Sequence, residues 1–257
     1  MSDINGYVRI DHLESVATIE FYHPQGNSLP ADILRSLAMA IEQEGNNTAT
    51  RVIILRSAGE KAFCAGASFD ELANISNEAE GLAFFSGFAQ VINAMRKAPK
   101  FVIARVQGKC IGGGVGLAAA ADYAIAAEGA DIKLSELAVG IGPFVVGPAV
   151  ERRIGLSAFA QLTIDATMWR PAHWARRKGL YAELHTDVKG MDESIKRLAG
   201  TLAVSNPAAM LEIKNMLWKD AENWDRLLPE RAAISGRLIL SEYSKKFIAS
   251  FKEKLKK

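Results

Sequence analysis

The chain has 257 residues, of which 49% are hydrophobic, and its 31 Lys and Arg nearly balance 29 Asp and Glu, for a formal charge of +2. This composition supplies a substantial core and excludes wholesale disorder, while the charge balance gives no footing for nucleic acid or an acidic membrane as partner. No apolar run reaches the roughly 18 residues of a bilayer-spanning helix, and the opening MSDINGYVRIDH lacks the basic and apolar regions of a signal peptide, so a cytoplasmic protein is expected.

In chain order, VATIEFY (16–22) is short, β-branched and aromatic and is followed by the turn residues PQGN, which reads as a strand. Pro30 opens PADILRSLAMAIEQE, where Ile33, Leu34, Leu37 and Ile41 recur at helical spacing. The same order returns: RVIILRS (51–57) predicts a buried strand, and a helix follows over about 78–97 with Phe84, Phe85, Phe88, Val91, Ile92 and Met95 on one stripe. FVIARV (101–106) and DYAIAA (122–127) are further strands on either side of a short alanine-rich helix. Strands alternating with helices predict an α/β fold. Cys64 and Cys110 lie in runs of small apolar residues and are expected to be buried, reduced thiols. From about Met191 the patterns are helical, ending with Phe247, Phe251 and Leu255 four residues apart. The expected organisation is an α/β core over 1–190 and a helical region over 191–257, whose leftover apolar faces pack on another subunit.

The stretch GKCIGGGVGLAAAAD (108–122) places three consecutive glycines directly before a helix. Glycine weakens a helix, so three in a row imply unusual backbone angles or an approach that a Cβ would block. Peptide N–H groups at that helix start lack intrahelical partners and carry the positive end of the dipole, which suits an oxygen bearing negative charge. Two other readings compete: simple close packing of helix on strand, and a dinucleotide fingerprint, since GVGLAA fits G-x-G-x-x-A with Glu136 twenty residues on. The residues QGKC between strand and glycines, and a helix of about two turns, fit the dinucleotide geometry poorly. A second loop, EKAFCAGASFDEL (60–72), also follows a strand and is built of small residues around a glycine. Two such loops supply one backbone N–H apiece to a shared oxygen.

With both loops in view the chain resembles the crotonase superfamily, the enoyl-CoA hydratases and isomerases. KAFCAGASFDEL is similar to its K-A-F-x-A-G-A-D-x-x-E-L loop, GKCIGGGVGLAAAAD to its G-G-G loop, and KLSELAVGIGPFVVGPAVERRIG (133–155) to its P-E-x-x-x-G segment; FYHPQGNSL and the final FKEK match its first strand end and its terminus. The resemblance implies a crotonase-like spiral of repeated ββα units with a C-terminal helical oligomerisation region, assembled as a homotrimer or a hexamer made of two trimers. It implies an acyl-CoA substrate from fatty-acid or branched-chain metabolism, with the nearest likeness to methylglutaconyl-CoA hydratases, and no cofactor beyond the coenzyme A that the substrate carries. Ala67 and Gly113 would hold the thioester oxygen, and Glu136, its pKa raised by an apolar pocket, would move protons.

Ala65, Ser68, Phe69, Gly112, Gly116 and Phe144 are the further substrate-binding positions implied, with Phe251 and Lys254 for the adenine and phosphate end of CoA, often across a subunit boundary. The chain departs from the family in four places. Gly116 stands where hydratases carry a second carboxylate, Ser68 replaces an aspartate, Ser135 replaces a proline, and Phe144 replaces a glycine or acid. One base suffices to shift a double bond; hydration by one carboxylate must manage both ends of a single water. A catalytically silent acyl-CoA-binding protein and a nicotinamide-dependent oxidoreductase are the alternatives. Asp70 and Glu71 are expected to face solvent or start a helix, Asp122 and His23 to be structural, and no histidine shows metal-ligand spacing.

Overall fold

The computed structural model describes the backbone of residues 6–255 and the side chains of residues 6–253. A hairpin of β1 (Tyr7–Leu13) and β2 (Val16–Tyr22) leads to α1 (Ala31–Asn46). Three units of one order follow: β3 (Val52–Ser57), β4 (Ala62–Cys64), α2 (Phe69–Asn74) and α3 (Glu78–Lys97); β5 (Phe101–Val106), β6 (Lys109–Ile111) and α4 (Gly113–Ala120); β7 (Tyr123–Ala127), β8 (Ile132–Lys133) and α5 (Glu136–Val139). The chain continues through α6 (Gly147–Ile164), α7 (Ala172–Arg177), β9 (Glu183–His185), α8 (Val188–Ala203), α9 (Pro207–Leu217), α10 (Trp224–Leu238) and α11 (Glu242–Leu255).

Each unit contributes its longer strand to a six-stranded sheet of order β1-β2-β3-β5-β7-β9 and its shorter strand to a three-stranded sheet β4-β6-β8. The chain thus winds as a spiral of ββα turns. Because β4, β6 and β8 pair in parallel, all three end at the same edge, and α2, α4 and α5 begin a few residues beyond those ends. Three helix starts are thereby brought together.

The apolar stripe expected on 78–97 is the buried face of α3, whose Phe84, Phe85, Phe88, Val91, Ile92 and Met95 are all in the core. The region after 190 also packs on its own body. Met191, Ile195 and Ala199 of α8 cover Val52, Ile103 and Ile125 of the large sheet, and α10 crosses α3 so closely that a Cβ on Gly236 would lie 2.7 Å from the Leu82 nitrogen.

Asp122 has the structural role expected of it. Its buried carboxylate accepts from the Val102 N–H at 2.8 Å, from Lys214 Nζ at 2.8 Å and from Trp218 Nε1 at 2.7 Å. Lys214, only 2% exposed, also donates to the Met95 and Lys100 carbonyls, and burial lowers its pKa. Breaking a buried pair by removing one partner leaves the other charge desolvated. Lys214→Met is therefore expected to lower the unfolding free energy by about 3–5 kcal/mol in urea titrations, whereas a loss under about 1 kcal/mol would show the pair to be incidental.

Candidate active site

Beyond β4, Gly66 takes φ 88°, a left-handed backbone angle that glycine tolerates, and the next residue, Ala67, bridges Leu29. That bridge uses the Gly66 carbonyl, which accepts the Leu29 N–H at 2.8 Å, and the Ser68 N–H, which donates to the Leu29 carbonyl at 3.2 Å. The Ala67 N–H is left out of it. Beyond β6, Gly112 has φ 52° and donates its N–H to the Lys133 carbonyl at 2.9 Å, and Gly113 is the first residue of α4. Among the described residues, neither the Ala67 nor the Gly113 N–H has a hydrogen-bond acceptor.

The two turns touch. A Cβ on Gly66 would lie 2.9 Å from the Ile111 carbonyl oxygen and 3.5 Å from the Gly113 nitrogen, while one on Gly113 would collide with the Phe88 ring. Ala67 and Gly113 line a common cavity. Two unpaired donors at one cavity wall, one of them at a helix N-terminus, are suited to an oxygen that gains negative charge.

Glu136 opens α5 and its side chain enters the same cavity, where a Cβ on Gly112 would lie 2.9 Å from its Oε1. The residue keeps some exposure through the cavity, but its Oε2 is enclosed and has no hydrogen-bond partner among the described residues. Around it stand Leu72, Phe85, Phe88, Val139, Ile141 and Val146. Desolvation among these side chains raises its pKa from the ordinary 4.5 to about 7, against a smaller opposing pull from its own backbone N–H. A carboxyl group of that kind both takes and returns a proton near neutrality.

The other expected positions divide. Ala65 and Phe69 line this cavity and also a wider one that shares Ala67, Ile111, Ser135 and Val139 with it. Gly112 and Phe144 line the first cavity alone of these two. Phe251 of α11 lines the wider cavity, but within its own chain, its ring 4.5 Å from that of Phe69; the Lys254 side chain lies outside the described residues. Ser68 is not in either lining, because its hydroxyl caps α2 by accepting the Glu71 N–H at 3.4 Å. Gly116 is also absent from both. Val146 stands directly on it, and a Cβ there would lie 2.6 Å from the Val146 Cβ.

The dinucleotide reading of 114–119 fails on the same contacts. Gly114 backs onto the Cys64 carbonyl and Gly116 onto Val146, and every residue of α4 is buried, which leaves no surface for a pyrophosphate. Asp70, expected to face solvent or start a helix, does both: it lies in the first turn of α2 and stays exposed, where it pairs with Lys252 at 2.9 Å and accepts from Gln25 at 2.8 Å beside the wider cavity. Lys133, Lys252, Val146 and Ser235 are lining residues that the sequence did not single out. Cys64 and Cys110 are free, buried thiols on paired strands, and burial pushes the Cys64 pKa up to about 12.

A family model described as "Enoyl-CoA hydratase/isomerase" matches residues 11–257. The chain belongs to the enoyl-CoA hydratase/isomerase family. Among curated proteins it is 28% identical over 244 residues to the short-chain-enoyl-CoA hydratase of Clostridium acetobutylicum, covering 94% of this chain and 92% of that one. To the mitochondrial methylglutaconyl-CoA hydratase of Homo sapiens it is 33% identical over 165 residues, 62% of this chain but only 48% of that protein. The crystal structure of an enoyl-CoA hydratase from Bacillus halodurans shares the fold with a TM-score of 0.87 at 22% identity, over 95% of this chain and 99% of that one.

A side chain at 116 must displace Val146 from the cavity wall. Overpacking of this kind typically costs about 1–3 kcal/mol. Gly116→Ala is expected to lower the unfolding free energy by that amount, with partial recovery in Gly116→Ala/Val146→Gly; equal stability of Gly116→Ala and the parent would show that the wall yields freely.

Proposed function

We propose that the protein binds an acyl-CoA thioester and shifts its double bond through an enolate, with Glu136 as the sole proton carrier. The Ala67 and Gly113 N–H groups receive the thioester oxygen and strengthen their bonds as it becomes anionic, each worth about 2.7–4 kcal/mol in the transition state. Glu136 takes a proton from C2 and returns it to C4. The observation that carries this reading is one unpartnered carboxyl group, held at a pKa of about 7, in the same cavity as two unpaired backbone donors. The CoA portion lies along the wider cavity, where Phe69 and Phe251 offer aromatic faces and Lys133 offers positive charge beside the Lys252–Asp70 pair. An isomerisation is redox-neutral and asks for no cofactor beyond the CoA that the substrate brings.

Hydration by Glu136 alone is the second reading, favoured by relatives named as hydratases. Val146 over Gly116 weighs against it, because an apolar wall stands where hydratases of the family carry a second carboxylate. An ultraviolet assay separates the two. With a 3-enoyl-CoA, formation of the conjugated thioester is expected to raise the absorbance, with kcat/KM rising as pH passes through about 7, because the base must be ionised, and levelling above. Glu136→Gln is expected to reduce the rate by about 10²–10⁴-fold. Glu136-dependent loss of absorbance from crotonyl-CoA would make the enzyme a hydratase, and silence on both substrates with intact CoA binding would make it a non-catalytic binder.

The chain is further proposed to assemble as a homotrimer or as two stacked trimers. The reading is supported by large apolar side chains exposed on α6 (Leu156, Ile164) and α9 (Ile213, Met216, Leu217). Light scattering is expected to give three or six times the chain mass; a monomer at micromolar concentration would overturn the assembly.

A further inference from the structure

Resting on the acyl-CoA reading, we propose that Phe144 is the end wall of the acyl cavity and makes the enzyme selective for short, uncharged acyl chains. The two joined cavities fix a direction. The wider one opens past Lys133 and Lys252, and the narrower one begins at the junction by Ala65, Ala67 and Ile111. A thioester held at Ala67 and Gly113 therefore sends its acyl chain past Glu136 into the narrower cavity. The polar side chains lining that cavity are Ser135, Glu136 and Ser235, and none is basic. A chain ending in a carboxylate finds no counter-ion there and must be desolvated beside a carboxyl group.

Two residues stand between the acyl cavity and a neighbouring one. Pro143 and Phe144 line the acyl cavity and also a third cavity bounded by Phe159, Thr163 and Arg231. Helix α10 runs past both, with Ser235 on the acyl side and Arg231, one turn earlier, on the outer side. The Phe144 ring is folded back over Gly142, where a Cβ would lie 2.6 Å from its Cζ, so the bare glycine is what seats the ring across the passage. Proline at 143 restricts the backbone between them. Removing the ring joins the acyl cavity to the outer one, and the chain gains room for several more methylenes.

Calorimetric titration with saturated acyl-CoAs tests this without turnover, because a saturated chain has no double bond to move or hydrate. In the full-length protein, affinity is expected to stop rising with length within the series from butanoyl- to dodecanoyl-CoA. In Phe144→Ala the break moves to longer chains, with about a fourfold gain for each methylene newly accommodated, and Phe144→Leu moves it less. Phe144→Leu carries the test should the alanine variant fail to fold. The same break in the parent and in both variants would overturn the end-wall role, and glutaryl-CoA binding as tightly as pentanoyl-CoA would overturn the preference for uncharged chains. If the parent binds neither free CoA nor butanoyl-CoA, the acyl-CoA reading itself falls, a result distinct from an unchanged length profile.

Discussion

The site depends on a contact between two stretches of backbone with no side chain between them. The turn at Gly66 and Ala67 reaches the Ile111 carbonyl and the Gly113 nitrogen, and a single Cβ at 66 would part them. Much of the surrounding architecture serves that approach. Parallel pairing of β4 with β6 brings the two turns to one edge, the Leu29 bridge occupies the bonding groups on either side of the Ala67 N–H, and α4 is buried over its whole length behind Gly113. Backbone donors held this way cannot swing aside, so little reorganisation is needed when charge develops on a bound oxygen.

Two buried ionisable groups in the chain show what separates a structural charge from a reactive one. Lys214 is enclosed but has three acceptors, the Asp122 carboxylate and two carbonyls, and so ties α9 to the body. Glu136 shares a cavity lining with Leu72, Phe85, Phe88 and Val146, and its buried Oε2 has no partner among the described residues. Satisfied burial gives rigidity; unsatisfied burial raises the pKa and leaves the proton available. Val146 adds an apolar side chain to the same cavity wall and occupies the space above Gly116.

The helices after residue 188 have more than one task. They cover the large sheet, as α8 does, and they also complete the site: α10 contributes Ser235 to the cavity that holds Ala67, Gly113 and Glu136, and α11 lays Phe251 on Phe69 and sets Lys252 against Asp70. A helical tail expected to pack on other subunits thus first finishes its own.

The sequence by itself determined the α/β class, the strands β2, β3, β5 and β7, the α3 stripe and the two small-residue loops, because periodicity and glycine placement are local properties. Motif order across the chain pointed to Ala67, Gly113 and Glu136, and the fold brings all three to one cavity. Strands β4, β6 and β8 were not legible, being two or three residues long and stable only through one another. Nor were the fates of Ser68 and Gly116, or the presence of Val146, Lys252 and Ser235 at the cavities. Which atoms meet across a cavity is set by packing between elements distant in the chain, and a spacing rule carries no information about that distance.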